Sequence, residues 1–398
     1  MEQREIAIVG GGPAGTALAT VLARGGHDVV VLERSPEPRW RACGVFSSPA
    51  SVAALRRLGV EAPALDALTR TIPAMRVETA GGVRFRLTYG DDGSLRDPAV
   101  GFDRPALDGV LLELAGAAGA AIRPATTVLN VGDGRLTLRG PAGEAEIEAR
   151  VVVGADGIRS VVARSAAVAH RTWLGDRVGL TFHVRDPRPD QSRDARMILF
   201  PGGYVGLAPV PGGRVNVGIV LGGSWAARLR SDGAERVVGA VLAAIPQAAD
   251  DPVDWPTAER CDPIEGAASI GHRVARRHGP GWLLVGDAAG FLDPFTGEGL
   301  HRALVSARLA AIAIDRQLGG DPGALAGYDR AMTARFRSKD AVSLLVQAFL
   351  GRPVLFEFAA RRLAARPSVR ETMGLVMGDL VPASQALDPR FISALLRP

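Results

Sequence analysis

The first 35 residues constrain the fold more than any other part of the chain. The segment "EIAIVG" is short, apolar and ended by glycine, which predicts a buried strand. The segment "PAGTALATVLARGG" then carries apolar residues at helical spacing and ends in Gly-Gly, and "HDVVVLER" predicts a second buried strand. A strand, a helix and a strand in so short a segment indicate a βαβ unit with parallel strands.

The turn between the first strand and the helix carries a glycine motif. In "GGGPAG", Gly10, Gly12 and Gly15 form the pattern GxGxxG. Glycine there permits the tight turn, the close approach of a pyrophosphate to the helix N-terminus, and close helix–strand packing. Glu33 ends the second strand about 20 residues later, where a carboxylate accepts hydrogen bonds from a ribose 2′-hydroxyl. The alternative, a glycine-rich turn and a surface glutamate, is less consistent with the strand–helix–strand context.

Two later strands also end in glycine and aspartate. They are "VVVGADGIRS", which contains Asp156, and "GWLLVGDAAGFLDPFTGEGL", which contains Asp287. A carboxylate at the carboxyl end of such a strand faces the crevice in which open α/β sheets bind their ligands. Taken singly, either aspartate could instead cap the helix that follows it.

Composition excludes several classes of protein. The chain has 398 residues and is 47% hydrophobic, which allows two or three domains or one large composite fold. Its net charge is +5, and its arginines are scattered, so a nucleic-acid-binding face is not predicted. Cys43 and Cys261 lie far apart and the histidines form no HxxxH pair, so neither a disulfide framework nor a metal site is predicted. A cytoplasmic location fits this cysteine usage. Neither a signal peptide nor a transmembrane segment is predicted.

The pattern of predicted elements divides the chain into three parts. Short strands separated by Pro and Gly between Asp176 and Val220, and a hairpin around Gly81-Gly82, predict a mostly antiparallel sheet. The predicted fold class is α/β: a Rossmann-like dinucleotide-binding domain, an inserted antiparallel substrate domain and a helical C-terminal region. Their predicted ranges are residues 1–75, 100–170 and 270–330 for the first, 76–99 and 171–269 for the second, and 331–398 for the third.

Taken together, the motifs resemble those of one family. GxGxxG with Glu33, then Arg104 in "FDRPALDGVL", then GADGxxS and GDAAGFxDPxxGEG resemble the flavoprotein monooxygenases and their geranylgeranyl-reductase-like relatives, over most of residues 1–330. The resemblance implies non-covalent FAD, with Glu33 at the adenosine ribose and Asp287 at the ribityl chain. It implies the following cofactor-binding residues: Gly10, Gly12, Pro13, Ala14, Gly15, Glu33, Arg34, Arg41, Cys43, Arg104, Asp156, Gly157, Gly286, Asp287, Gly297, Gly299 and Leu300.

The resemblance also predicts how the loop from Asp287 to Gly299 is used. Its small residues are expected to lie against the flat flavin ring, where large side chains would clash. Backbone N–H groups of Gly297, Gly299 and Leu300, at a helix N-terminus, are expected to stabilise negative charge on the pyrimidine end of reduced flavin. Pro294 is expected to stiffen this loop.

Other segments indicate the branch of the family. The WxWxIP signature of flavin-dependent halogenases is absent from the sequence, so halogenation is not predicted. "PRWRACGVFSSPA" resembles the reductase-like branch, whose Cys-Gly pair corresponds to Cys43 and Gly44. "GYVGLAPVPGGRVNVGIV" resembles a run of that branch, but Gly206 and Ala208 replace larger residues, which implies more room near the ring. Cys43 either faces the substrate side of the flavin or is a small buried hydrophobic residue.

Three functions fit these observations. The favoured one is an FAD-dependent monooxygenase that hydroxylates or epoxidises an apolar aromatic or lipid-like molecule, with Cys43, Gly44, Pro294 and Gly297 as the catalytic candidates. The alternative is an ene-reductase that saturates isoprenoid double bonds, and the third is a flavin-fold binding protein without turnover. Because the sequence has one GxGxxG and no second nucleotide fold, NADPH or NADH is expected to visit the flavin transiently.

The C-terminal segment "LLVQAFLGRPVLFEFAARRL" predicts apolar helices flanked by arginines. Such helices either pack over the substrate cavity or rest on a membrane surface as a peripheral contact. Core packing is the more typical use, and the sequence predicts no particular oligomeric state.

Overall fold

A computed structural model describes residues 2–89, 98–171, 177–268 and 270–397 of the chain. The strands are β1 (Glu2–Val9), β2 (Val29–Leu32), β3 (Phe46–Ser47), β4 (Thr69–Ile72), β5 (Ala74–Glu78), β6 (Arg84–Thr88), β7 (Ala99–Phe102), β8 (Ala121–Arg123), β9 (Thr127–Gly132), β10 (Arg135–Gly140), β11 (Gly143–Gly154), β12 (Ala169–Arg171), β13 (Val178–Arg185), β14 (Ala195–Phe200), β15 (Gly203–Val210), β16 (Arg214–Leu221), β17 (Glu265–Ala268), β18 (His272–Val274), β19 (His278–Gly279) and β20 (Trp282–Leu284). The α-helices are α1 (Pro13–Arg24), α2 (Pro49–Leu58), α3 (Ala62–Leu68), α4 (Arg104–Ala117), α5 (Val161–Ser165), α6 (Gly223–Asp232), α7 (Ala234–Ala243), α8 (Gly299–Leu318), α9 (Ala324–Leu350), α10 (Pro353–Ala365), α11 (Pro367–Met377) and α12 (Pro389–Leu396). Short 3₁₀ turns lie at Gly157–Arg159, Trp255–Thr257, Gly286–Ala289, Pro294–Thr296 and Ala383–Leu387.

The predicted βαβ unit forms the centre of an eight-stranded sheet. Five parallel strands lie in the order β20, β11, β1, β2, β8, with β19 antiparallel at one edge and the β9–β10 hairpin extending β11. Helices α1, α4 and α8 bury their apolar residues against one face, including Leu18, Leu111 and Ile314. Each is fully buried because both faces of a parallel sheet must be covered.

The second large sheet is mostly antiparallel, as the sequence predicts. Its strand order is β17, β13, β16, β15, β14, β5, β6, and only the β14–β5 pair is parallel. The predicted hairpin around Gly81-Gly82 is the β5–β6 pair. Residues 90–97, 172–176 and 269, which the sequence analysis assigns to the substrate domain, lie outside the described residues.

Strand alternation gives the two faces of this sheet different neighbours. Val205 and Leu207 of β15 pack in a cluster with helix α7. Tyr204, Gly206 and Ala208 alternate with them and therefore lie on the opposite face. That face meets the loop before α8 and the C-terminal helices, because Tyr204 shares a cluster with residues of both.

The C-terminal region is helical, as predicted, and is joined closely to the second sheet. A Cβ atom at Gly374 of α11 would lie 2.0 Å from the Thr88 carbonyl oxygen of β6, so only glycine fits at this contact. Within the described ranges, no single helix is long and apolar enough to cross a bilayer. The pair α9 and α10 passes that test of length and composition together, but the two helices are bent by 117°.

Candidate functional site

The parallel strands bring the predicted site residues to one edge of the eight-stranded sheet. Gly10 follows β1, Glu33 follows β2, Asp156 follows β11 and Asp287 follows β20. These four strands are neighbours and parallel, so their carboxyl ends share an edge. The four loops are far apart in sequence, and the sheet order places them side by side.

Glycine is present at the three motif positions for three different physical reasons. Gly10 has φ 109°, and a Cβ there would lie 2.6 Å from the Ala155 carbonyl oxygen. A Cβ at Gly15 would lie 2.0 Å from the carbonyl oxygen of Gly10, so this residue permits close packing of α1 on the turn. Gly12 is the N-cap of α1, and a Cβ there would meet no atom within 4 Å. The helix N-terminus is therefore open toward an anionic ligand.

Glu33 is buried and holds the glycine turn in place. Its Oε2 accepts a hydrogen bond from the Gly11 N–H at 2.7 Å, and its Oε1 accepts one from the Ser35 N–H at 2.9 Å. The Arg41 guanidinium lies 3.9 Å from Oε1, whereas Arg34 is exposed. Each carboxylate oxygen keeps a second lone pair, so the predicted contact with a ribose hydroxyl stays open to Glu33.

Asp156 caps the helix that follows it, which is one of the two roles left open by the sequence. Its Oδ2 accepts a hydrogen bond from the Val161 N–H at 2.6 Å, which caps the start of α5. Its Oδ1 is buried and has no hydrogen-bond partner in the described part of the chain. Gly157, with φ 77°, would place a Cβ in open space. The cap accounts for one oxygen, and the other stays available for the predicted contact with a ligand hydroxyl.

Asp287 carries an unpaired carboxylate. It forms no hydrogen bond or ion pair with any described residue, although Arg104 and Arg302 lie near enough to influence it. Burial raises the pKa of the Asp287 carboxyl to about 6, against the opposing effect of these two arginines. A half-buried carboxylate without a protein partner is costly, and it is suited to accept hydrogen bonds from ligand hydroxyls.

Cys43 lies on the same side of the cleft as Arg104. Arg104 begins α4 and its Nη1 donates a hydrogen bond to the Gly44 carbonyl oxygen at 2.7 Å, while its Nε is buried without a partner among the described residues. Cys43 itself is half-buried. Burial raises the pKa of the Cys43 thiol, and Arg104 offsets part of this effect. The thiol is therefore protonated at neutral pH and has a cation nearby.

Two glycines of the loop before α8 are required by contacts within the protein, which the sequence analysis did not predict. Gly286 and Gly297 have φ 57° and 65°; a Cβ at Gly286 would lie 2.7 Å from the Ala14 Cβ, and one at Gly297 would lie 2.5 Å from the Phe46 ring. Only Gly299 would place a Cβ in open space. Within the loop from Asp287 to Gly299, the expectation that the residues are small because of the flavin is therefore corrected at Gly297, where Phe46 already excludes a side chain. At Gly286, just before this loop, helix α1 does the same.

The remaining residues of this loop have structural contacts. The Leu300 side chain is buried in the core of the first domain, so only its backbone can face a ligand. Pro294 begins a 3₁₀ turn that Asp293 caps by accepting a hydrogen bond from the Phe295 N–H at 3.0 Å. Glu298 lies 3.5 Å from Arg302, and its Oε2 is buried without a hydrogen-bond partner in the described residues.

A recess opens in the face of the second sheet that meets this loop. Gly206 and Gly218 are directly paired across β15 and β16, and both are half-exposed although their strand neighbours are buried. The Met197 side chain lies at one side, 3.7 Å from where a Gly206 Cβ would be. Phe46 and Phe295, both half-buried, belong to the clusters on this same face. The two glycines therefore leave space between the sheet and the loop, which is mainly apolar except for the Asn216 Oδ1, 3.9 Å from where a Gly218 Cβ would be.

Several side-chain contacts at the site could not be predicted from any motif in the sequence. Buried Lys339 of α9 donates hydrogen bonds to the Asp379 carboxylate and the Val376 carbonyl, each at 2.8 Å, and lies 3.8 Å from Glu298. Asp293 also accepts from Tyr204 and Arg177. These partners are separated by tens to hundreds of residues, and none belongs to a local motif.

The residues present fit an adenine dinucleotide that carries a flavin. The open N-terminus of α1 suits a pyrophosphate, and the unpaired carboxylate of Asp287 suits a chain of hydroxyl groups. Buried polar atoms without partners among the described residues, at Arg41 Nε, Arg104 Nε and Asp156 Oδ1, mark the same edge of the sheet. Such atoms are rare in folded proteins unless a ligand or water completes them.

Replacing Asp287 by alanine is expected to weaken FAD binding about 10- to 150-fold, since a hydrogen bond to a charged group contributes about 1.5–3 kcal/mol. Fluorescence titration of the apoprotein with FAD measures the dissociation constant. Asp66→Ala, at an exposed aspartate of α3, is the matched control and should leave the constant unchanged. Equal constants for the Asp287→Ala variant and the wild-type protein would show that another carboxylate holds the cofactor.

Comparison with known proteins identifies the family. The FAD binding domain family matches residues 3–338. The chain is 30% identical over 328 residues to a menaquinone reductase of Mycolicibacterium smegmatis, covering 77% of this chain and 75% of the relative. It is 30% identical over 325 residues to digeranylgeranylglycerophospholipid reductase 2 of Methanopyrus kandleri, with the same coverage of both chains.

A solved structure shows the same fold at lower identity. The flavin-dependent halogenase CmlS superposes with a TM-score of 0.76 at 24% identity, covering 94% of this chain and 68% of CmlS. This likeness concerns the fold alone. Because the FAD binding domain match spans most of the chain and the relatives at 30% identity are reductases, the chain belongs to the FAD binding domain family, in its geranylgeranyl-reductase-like branch, and is an FAD-dependent oxidoreductase.

Proposed function

We propose that this flavoprotein is a reductase that saturates carbon–carbon double bonds in an isoprenoid lipid. The sequence analysis favoured a monooxygenase and kept the reductase as its alternative; the relatives named as reductases support the alternative better. The observation that carries the proposal is the half-buried Cys43, next to Gly44, whose carbonyl oxygen Arg104 holds. Burial raises the pKa of the Cys43 thiol, which favours the protonated form. A reductase needs such a proton donor, whereas an oxygenase does not.

The chemistry divides between the cofactor and the protein. FAD, held at the α1 N-terminus, Glu33 and Asp287, would supply the redox chemistry, the transfer of a hydride equivalent from a nicotinamide, NADPH or NADH, to the substrate. The Cys43 thiol gives its proton to the other carbon of the double bond, so that one hydride and one proton convert C=C to CH–CH. The thiolate left behind lies near the Arg104 guanidinium, which stabilises its charge, and it regains a proton from water.

The recess over Gly206 and Gly218 supports an apolar substrate. Its surroundings include Met197, Phe46 and Phe295, which present apolar surface and adaptable thioether and aromatic contacts. An isoprenoid chain is flexible and has no polar groups along its length, so a wall without hydrogen-bonding requirements suits it. The replacement of larger residues by Gly206 and Ala208 gives this substrate room near the ring position implied by the family resemblance.

The purified protein is expected to be yellow and to release FAD on denaturation. The open N-terminus of α1 and the carboxylate of Glu33 are arranged for an adenine dinucleotide, not for a mononucleotide. Chromatography of the released flavin against FAD and FMN standards makes the measurement. FMN alone, or no flavin after incubation with FAD, would overturn the assignment of the cofactor and of the reaction with it.

The direct test of the reaction is turnover without oxygen. The holoenzyme is reduced anaerobically with NADPH or NADH and mixed with a menaquinone or a polyprenyl phospholipid, and the product is analysed by mass spectrometry. A product that has gained two hydrogen atoms supports the reductase. A product that forms only after oxygen is admitted, and that has gained an oxygen atom, would establish the monooxygenase instead. A colourless protein that binds lipid without turnover would establish the third alternative.

A further inference from the structure

An exposed apolar surface lies where α9 and α10 meet. Five large apolar side chains of these helices are exposed within a short stretch of chain, and we call them the elbow surface: Leu344 (41%), Leu345 (44%), Val354 (82%), Leu355 (43%) and Phe358 (38%). The other exposed large apolar residues of the described ranges are distributed over α1, β9, α8 and α12. Single exposed apolar residues are ordinary, but a contiguous group of them marks an interaction site.

The elbow surface is one side of well-packed helices. Val342 and Gln347 of α9, which flank the exposed pair Leu344 and Leu345, are buried, at 2% exposure each. Leu350 and Phe356, on either side of the bend, pack into the apolar cluster that includes Tyr204 and Phe295. The exposed side chains are therefore presented by helices that are anchored to the protein through their other face.

The fully exposed charges around the elbow surface are positive. The two carboxylates of the same segment, Asp340 and Glu357, are half-buried and engaged: Asp340 pairs with Arg302, and Glu357 accepts a hydrogen bond from the Gly81 N–H. Arg352 is exposed at the bend itself, Arg337 is exposed two turns before Leu344, and Arg361 is exposed two turns after Val354. A spacing of seven residues places each of the last two on the same side of its helix as the apolar residue. None of the three arginines forms an ion pair with any described residue.

We propose that the elbow surface docks on the surface of an anionic phospholipid bilayer. The apolar side chains would enter the boundary between headgroups and acyl chains, while the three arginines contact lipid phosphates, as in interfacial amphipathic helices. Charge complementarity selects this occupant over a second copy of the chain. A symmetric dimer through the same surface would bring the like-charged arginines of both copies together, which is unfavourable.

The elbow surface lies near the proposed substrate site, so contact with a bilayer there would bring lipid substrates close to that site. Through Leu350 and Phe356 it adjoins the cluster containing Phe291 and Phe295, which lie in the loop that leads to α8. An apolar molecule leaving the bilayer at the elbow would thus meet apolar side chains on the way to the recess over Gly206. The docking proposal goes beyond the proposed reaction and is tested without turnover, so the two proposals fail separately.

The test measures flotation of the FAD-loaded protein with vesicles. Vesicles of phosphatidylcholine alone are compared with vesicles of equal parts phosphatidylcholine and phosphatidylglycerol. We expect binding to the anionic vesicles that weakens as salt is raised. The double variant Val354→Ser/Leu355→Ser should bind about tenfold more weakly, because apolar insertion is lost, and Arg352→Glu/Arg361→Glu should lose about as much or more.

Matched controls locate the effect. Ile312→Ser removes an apolar side chain of α8 that is 55% exposed outside the elbow surface, and Arg135→Glu reverses an exposed arginine of β10. Both should bind vesicles as the wild-type protein does, and all variants should retain FAD. Equal vesicle binding by the elbow variants and the wild-type protein would overturn the proposal. A concentration-dependent dimer that the elbow substitutions abolish, with no vesicle binding, would assign the surface to a second copy instead.

Discussion

Replacing Cys43 by alanine is expected to lower kcat for double-bond reduction by a factor of about 10²–10⁴, which is the usual contribution of a positioned general acid. Burial holds the thiol in its protonated form, so at neutral pH it is a proton donor and not a nucleophile. Alanine fills nearly the same space and offers no proton. The loss should therefore appear in the step that consumes the substrate, measured by anaerobic mixing of reduced enzyme with lipid.

Two further measurements separate proton donation from packing. The rate of flavin reduction by NADPH should be unchanged in the FAD-loaded Cys43→Ala variant, because that step does not use the thiol. Cys261→Ala is the matched control: this second cysteine is exposed and lies on the second sheet's side of the chain, where its backbone N–H donates to the His183 carbonyl. If Cys43→Ala retains most of its turnover and each turnover consumes oxygen, the thiol is a packing group and the reductase proposal is wrong.

The first domain was predictable because its signals are local. A strand, a glycine turn and a helix follow one another within residues 1–35, and each is specified by its own period and end signals. The parallel pairing of β1 with β2 follows from the intervening α1, so the placement of Gly12 and Glu33 at one edge could be inferred. The end of β20 at Asp287 required the family resemblance, since a strand followed by Gly-Asp is common.

The contacts that hold the site together were not predictable from the sequence. Lys339 and Asp379 are separated by 40 positions in the chain, yet they form a buried ion pair. Lysine at a helical position is ordinarily exposed, so no pattern distinguished Lys339 from its neighbours. Similarly, the steric reason for Gly297 lies in Phe46, on a different element, and only the folded chain brings the two together.

The C-terminal helices show a different limit. Their existence was predicted correctly, but α9 and α10 carry apolar residues on more than one side, so periodicity did not indicate which side faces the protein. Packing against the second sheet decides this: Phe356 is covered, whereas Val354 is left 82% exposed. The two uses considered for this segment, core packing and membrane contact, therefore concern different faces of the same helices.

Asp293 connects the loop before α8 to three other parts of the protein. Its Oδ1 accepts hydrogen bonds from the Tyr204 hydroxyl at 2.5 Å and from the Phe295 N–H, and its Oδ2 accepts one from Arg177 Nη1 at 2.9 Å. Arg177 also donates to Gln347 of α9. Burial and the neighbouring carboxylate raise the pKa of Tyr204, so its hydroxyl remains a donor. The aspartate is thus the shared acceptor of a buried network.

Asp293→Ala is expected to lower the free energy of unfolding by about 2–4 kcal/mol, because it leaves the buried Tyr204 hydroxyl and the partly exposed Arg177 guanidinium without their shared acceptor. Tyr204→Phe removes a single hydrogen bond to a charged group and should cost about 1.5–3 kcal/mol. Urea unfolding of the apoproteins measures both. The double variant Asp293→Ala/Arg177→Met should recover part of the loss, since the unpaired charge is gone. If Asp293→Ala unfolds at the same urea concentration as the wild-type protein, the network does not stabilise the fold. The position of the loop before α8 would then depend on its other contacts, such as those of its glycines and of Lys339.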